Sequence, residues 1–240
     1  MYGRGVKRGF LRGRLELTWV GGERGIPSGN ADILNATEAT RMTADPDFEI
    51  LGTSASTDDV DHNAEGGLTM QTDGANDDQI FVHPHQDANQ SPWNYVTWGT
   101  DQETRYECRV ETPVDVTTGI HLVVGLKTDL DMTLNDADLV VFNYNTDDSD
   151  LTWGVVANVN SGTATDTDTG VPCTPATTYI FVIKFDAAGV AHCYINDQLV
   201  AEIDFAGEAA DLKPFVGLQS LSATTDELVL IEQKIGRNYA

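Results

Sequence analysis

The sequence predicts an all-β sandwich, and three observations carry that prediction. The first is alternation. From Glu103 to Glu111 (ETRYECRVE), Thr104, Tyr106, Cys108 and Val110 fall on one side, and Glu103, Arg105, Glu107, Arg109 and Glu111 on the other. This period of two marks a strand with one buried and one wet face. The second is the last quarter of the chain, where apolar runs and turn signals succeed one another at hairpin spacing. The third is what is missing: no run of three helical turns is convincing after residue 48, and no repeat of fixed period occurs.

The elements follow in order. Residues 1–24 read as a basic, glycine-punctuated arm, and residues 25–47 as a polar linker with a short helix expected over Ala31–Met42. The chain divides into an extended N-terminal arm and linker, 1–47, and a sandwich, 48–240. After Glu103–Glu111, strands are expected at Gly119–Lys127 (GIHLVVGLK), Asp138–Tyr144 (DLVVFNY) and Leu151–Asn158 (LTWGVVAN). Asp147-Asp-Ser-Asp150 makes an acidic turn before the last of these. Ser161–Gly170 (SGTATDTDTG) reads as a low-complexity loop or an exposed Thr-rich strand. A meander closes the chain: Thr177–Phe185, a turn at Asp186-Ala-Ala-Gly189, Val190–Ile195, a tight turn at Asn196-Asp197, Gln198–Ile203, Pro214–Leu218 and Glu227–Glu232. About a dozen short strands in ~190 residues is the size of a jelly roll.

Composition bounds the chemistry. The 240 residues are 40% hydrophobic and carry a formal net charge of −24, which opposes nucleic-acid binding because phosphates are repelled. The charge is uneven. Arg4, Lys7, Arg8, Arg12 and Arg14 stand in the first 14 residues with no acid among them. Removing those five from the 14 basic residues leaves nine against 38 acids, a body of −29. Such an arm suits an acidic partner surface or a sister subunit. The basic start lacks the apolar run of a signal peptide, because Arg12 and Arg14 interrupt it. No stretch reaches the ~20 apolar residues of a membrane helix. Three cysteines, Cys108, Cys173 and Cys193, form no disulfide framework and suit a reducing cytoplasm; Cys108 and Cys193 take inward strand positions.

Four groups of residues could carry chemistry. Glu103, Glu107 and Glu111 share a face, but Arg105 and Arg109 stand between them, and guanidinium groups depress the pKa that a catalytic acid needs raised. The E-x-D-x-x-E strand motif of laminarinase-like glycosidases is absent, so catalysis is not expected and a glycoside hydrolase or polysaccharide lyase is the last alternative. His83-Pro84-His85 lacks a third zinc ligand at a recognisable spacing. The acidic run Asn145 to Asp150 offers oxygen ligands for calcium; the D-x-D-x-D-G pattern of a dedicated loop is absent, though Asp166 and Asp168 precede Gly170; no cofactor is otherwise expected. Trp93, Tyr95 and Trp98 cluster and either stack on sugar rings or fill a core or a subunit interface.

The meander resembles the C-terminal half of concanavalin A-like jelly rolls, with its YINDQLV hairpin, P-F-V-G-L strand and ELVLIEQKI closing strand. A longer stretch, from Gly66-Gly-Leu-Thr-Met-Gln-Thr-Asp-Gly74 through Trp98-Gly-Thr-Asp101 to the charged strand, resembles a module of tailed-phage and prophage structural proteins, and the likeness covers about residues 60–238. That resemblance implies a concanavalin A-like jelly roll in a capsid decoration or cement protein. It implies assembly in a host cytoplasm, location on the virion, and partners among the major capsid protein, other virion subunits or copies of itself. It carries no catalytic residue. The alternative is a lectin-like module, free or on a virion or fibre, that binds host or environmental glycans through Trp93, Tyr95 or Trp98.

Overall fold

A computed structural model describes residues 7–11, 14–19, 34–35, 48–55, 59–63, 66–84, 97–129, 131–148 and 151–238. The described residues form β-strands and one 3-10 turn at Thr146–Asp148. The strands are β1 (Lys7–Leu11), β2 (Arg14–Trp19), β3 (Leu34–Asn35), β4 (Phe48–Leu51), β5 (Val60–His62) and β6 (Leu68–Gln71). Next come β7 (Gln79–Pro84), β8 (Arg105–Glu111), β9 (Ile120–Lys127), β10 (Leu139–Asn145), β11 (Thr152–Asn158) and β12 (Thr165–Pro172). The meander supplies β13 (Thr178–Phe185), β14 (Val190–Ile195), β15 (Gln198–Asp204), β16 (Lys213–Ser220) and β17 (Glu227–Asn238).

Two sheets result. The front sheet has eight strands in the order β12-β11-β10-β9-β16-β7-β4-β3. The back sheet has nine: β1-β2-β17-β8-β13-β14-β15 in line, with β6 on β17 and β5 on β6. Among the described residues all strand pairings are antiparallel except the two-residue match of β3 with β4. Parity decides what each sheet buries. Tyr106, Cys108 and Val110 of β8 turn inward, as the alternation predicts, and meet Phe142, Trp153 and Val216 from the front sheet in one core. Trp153 and Phe181 bind the two layers together, with ring centroids 4.7 Å apart at 67°, an edge-to-face geometry that suits the ring quadrupoles.

Several local expectations are corrected. Glu103 precedes β8 in a turn with φ of 49°, so the strand is shorter than the charge pattern predicts. The helix expected over Ala31–Met42 is replaced at Leu34–Asn35 by strand pairing to β4; the rest of that span lies outside the described residues. Of the two readings open for Ser161–Gly170 the structure takes the strand, with Thr165–Pro172 an exposed edge strand. Lys7, Arg8 and Arg14, expected on an arm, stand on a hairpin whose second strand pairs with β17. Arg4 and Arg12 lie outside the described residues.

Two backbone features explain sequence motifs. Asn196 and Asp197 both have positive φ, 49° and 66°, as a two-residue hairpin turn of matching twist requires. Gly67 has φ of 95°, and a Cβ there would lie 2.4 Å from the Leu230 carbonyl oxygen, beside the register shift between Leu230 and Glu232 in β17. The second glycine of the Gly66-Gly67 pair is therefore a packing requirement. The three cysteines are unpaired and buried, and burial pushes each thiol up to about 12, far from a reactive thiolate.

Candidate functional site

The outer face of the front sheet is built by the residues that alternate with the core. Register lines up Gln219, His121 and Asn145 in one row, and Gly217, Val123, Asn143, Gly154 and Asp168 in the next. Phe215, Gly125, Val141, Val156 and Asp166 make a third row. The face therefore has a polar half and an apolar half.

The apolar half is closed. Phe81, Val123, Leu139, Val141, Val156 and Phe215 form a second hydrophobic cluster, capped by Met132 and Leu134 from the loop after β9. Lys127 pins that loop. Its ammonium is fully buried and donates to the carbonyl oxygens of Asp131 at 2.5 Å and Thr133 at 2.7 Å. It lies 3.4 Å from the Asp136 carboxylate and 4.8 Å from the centroid of the Phe215 ring. A buried ammonium needs this saturation of donors and an opposite charge. Burial pushes Asp136 above the ordinary carboxylate range, opposed by the Asp129 amide and by Lys127. For Asp131 burial acts in the same upward direction, but the Thr133 hydrogen bonds and the Lys127 charge together outweigh it and hold the group low.

The polar half is open. His121 is 8% exposed and sits between Gln219 at 3.2 Å from Nδ1 and Asn143 at 2.8 Å from Nε2. Burial lowers its pKa, against the pull of the two amide contacts, and a ring with one N–H donates to only one of the two amide oxygens. Beside it lies a cleft of about 210 Å³ lined by Asn143, Asn145, Asp148, Thr152, Gly154, Asp166 and Asp168. Asp168 accepts from the Gly170 amide at 2.8 Å and the Thr152 hydroxyl at 2.7 Å, and these bonds lower its pKa. Gly154 leaves the space that the Asp166 carboxylate uses, since a Cβ there would stand 2.6 Å from Oδ1.

Glycoside hydrolysis needs a carboxylic acid that is protonated at working pH beside an ionised one. Asp168 is held ionised, and the ring nitrogens of His121 are engaged by neighbouring amides. Acceptor oxygens dominate the cleft, so hydroxyl-rich neutral ligands or cationic ones suit it, and anionic ones are repelled. Among the described residues no three His, Cys, Asp or Glu side chains group as metal ligands.

The sequence-predicted site residues fall elsewhere. Trp98 is wholly buried in the main core, its ring closed off from a surface ligand by packing. Trp93 and Tyr95 lie outside the described residues, as do His85 and the side chain of His83. Glu107 pairs with Lys234 at 2.5 Å and with Arg105 at 2.9 Å on the wet face of the back sheet, the ion-pair surface that the ladder predicts. The acidic runs around Asp148 and Asp166–Asp168, separate in the sequence, meet in the cleft. His121, Asn143 and Gln219 were not anticipated; their signal is a polar residue at an alternate position of an otherwise apolar strand.

Comparison with known proteins places the fold. No protein-family model matches the chain, and no curated protein matches its sequence. Among solved structures, an alginate lyase of polysaccharide lyase family 7 superposes with a TM-score of 0.56 at 15% identity, over 78% of this chain and 86% of that one. A glycosyl hydrolase family protein from Mycobacterium fortuitum gives 0.54 at 8% identity, over 87% and 96%. A protein of unknown function from Shewanella oneidensis MR-1 gives 0.56 at 10% identity, over 100% and 90%. The chain is thus a concanavalin A-like jelly-roll sandwich, and its structural neighbours include carbohydrate-active proteins.

Proposed function

We propose that this protein is a non-enzymatic structural subunit of a tailed-phage particle, decorating or cementing the capsid. The observation that carries the reading is the position of the basic hairpin. β1 and β2 extend the back sheet at one end and bring Lys7, Arg8 and Arg14 to the margin of a body of strongly negative charge. A strand at a sheet edge that carries cations suits attachment: its backbone groups add to a neighbouring sheet, and its charge selects an acidic surface. The resemblance of residues 60–238 to phage structural modules supports the same reading.

Co-sedimentation of the native protein with particles from the source lysate tests it, with copy number read by mass spectrometry. Hundreds of copies per particle are expected. A protein that stays in the supernatant overturns the proposal. Lys7→Glu with Arg8→Glu should reduce attachment at least tenfold while the far-ultraviolet circular dichroism of the sandwich is retained.

A second reading is favoured by the cleft on the front sheet. Its amide, hydroxyl and carboxylate lining fits a neutral or amino sugar, so the outward face of such a subunit would also capture glycans. A glycan array with Asp166→Asn/Asp168→Asn as the control tests this. Signal confined to the unaltered protein supports it, and a blank array removes it.

A further inference from the structure

The back sheet ends in strands of opposite charge. β1 (KRGFL) carries two cations and no acid, and β15 (QLVAEID) carries Glu202 and Asp204 and no cation. Among the described residues, β1 pairs only with β2 and β15 only with β14. Among the described residues each edge therefore leaves a row of backbone donors and acceptors without a strand partner, the usual template for addition of another chain. The order of residue types along the two strands also matches. In β1 the cations come first and Phe10-Leu11 last; in β15 the apolar Leu199-Val200 comes first and the acids last. Laid antiparallel with Lys7 opposite Asp204, the strands set one cation directly beside an acid, with Arg8 opposite Ile203 and Phe10-Leu11 opposite Ala201-Val200. Laid parallel, they bring Lys7 and Arg8 beside the apolar end.

We propose that β1 of one copy adds antiparallel to β15 of a second copy, so that the back sheets of successive subunits join edge to edge. This identifies the partner of the basic hairpin and rests on the reading of that hairpin as an attachment element. The other edges fit less well. β12 also carries acids, but Gly170 at φ of 65° and Pro172 interrupt it, and a proline removes a ladder donor. β5 and β3 are three and two residues long. β15 has seven residues without glycine or proline, and Leu199 on it is 45% exposed, an apolar side chain that an added strand would cover. The two patches differ, so the contact is head-to-tail, and each copy keeps one free edge of each kind. Successive copies then close into a ring or continue as a filament.

Sedimentation of two charge variants, apart and mixed, tests this. The full chain should sediment above its 26.0 kDa monomer mass, and added salt should weaken the association because it is partly ionic. Lys7→Glu/Arg8→Glu makes both edges acidic, and Glu202→Lys/Asp204→Lys makes both basic; each alone should sediment as a monomer. An equimolar mixture pairs acid with base at every junction and should regain the mass of the unaltered protein. A monomeric unaltered chain, variants that associate normally, or a mixture that stays monomeric would each overturn the proposal. The Glu202→Lys/Asp204→Lys variant retains the hairpin. If it still co-sediments with particles while associating normally with itself, pairing between copies is rejected and the virion reading stands. If the mixture reassociates but nothing binds particles, the reverse holds.

Discussion

The two halves of the front sheet's outer face are made by the same strands at the same parity, yet one is closed and the other open. Where β9, β10 and β16 present Val123, Leu139, Val141 and Phe215, the chain covers them with Met132 and Leu134 and locks the cover with Lys127. Where the same strands present His121, Asn143 and Gln219, no such cover exists among the described residues, and the groups bond to one another. The difference follows from solvation. An uncovered apolar patch of this kind invites association, whereas amides and a neutral imidazole are satisfied by each other, by water or by a ligand. One half of the face is therefore spent on stability, and the other is free for recognition.

The sharpest way to break the comparison is to unlock the cover. Lys127→Ala leaves Asp136 buried without its cation, and removal of one member of a buried pair costs about 3–5 kcal/mol. Urea unfolding at pH 7 should show a loss of that size. Lys127→Met together with Asp136→Asn should recover much of it, since neither charge is then stranded. A loss below about 1 kcal/mol for the single change would mean that the loop merely rests on the sheet. The next effect is smaller. Met132 sits over Gly217, whose missing side chain makes room for its sulfur. Met132→Ala should cost about 2–3 kcal/mol, the low end for a buried methionine, because a loop can settle into the space.

The open half responds to pH instead. His121 has a folded pKa below that of an unfolded histidine, about 6.5, because burial opposes its charge. The unfolded chain therefore binds the proton more readily. The stability contributed by the neutral ring is complete above about pH 6.5 and is lost as the pH falls below it. His121→Gln keeps an amide for Asn143 and Gln219 but does not titrate. Melting temperature should fall more steeply for the unaltered protein than for this variant between about pH 6.5 and 5. Parallel curves would show that His121 is not the titrating group.

Legibility in the sequence followed the same division. Alternation in ETRYECRVE and the turns at Asp186–Gly189 and Asn196-Asp197 located β8 and the β13–β14–β15 meander, because those signals are local. The front sheet's strands were visible as apolar runs, but their faces were not. GIHLVVGLK is buried at every position from Ile120 to Lys127, since one side meets the core and the other the covering loop. His121 and Lys127 fall on the same parity in that run, and that was the available hint of a polar outer face. The cleft was readable only as two acidic stretches, because the pairings of β10 with β11 and β11 with β12 bring Asp148 and Asp166 together. For Trp98 the sequence left sugar stacking and core filling both open, and only the packing of distant strands decides for the core.

The smallest expected effect tests whether the open half has a defined shape. Gly154 lies in the middle of β11 opposite Asn143 and Asp168, and its backbone is not left-handed, so alanine meets no torsional objection. What alanine meets is the Asp166 carboxylate, 2.6 Å from the new Cβ. That oxygen belongs to a side chain at an exposed edge and can swing outward, so stability should change by no more than about 0.5 kcal/mol. The cleft should change more than the fold. Side-chain amide resonances of Asn143 and Asn145 should shift in a two-dimensional nitrogen–proton spectrum of Gly154→Ala, while the indole resonance of core Trp153 stays put. If all three stay, Asp166 has no fixed place above β11, and the polar half is a loose hydrated surface. If the amides move alone, the cleft is as definite a structure as the cover beside it, held by side chains that the fold itself does not require.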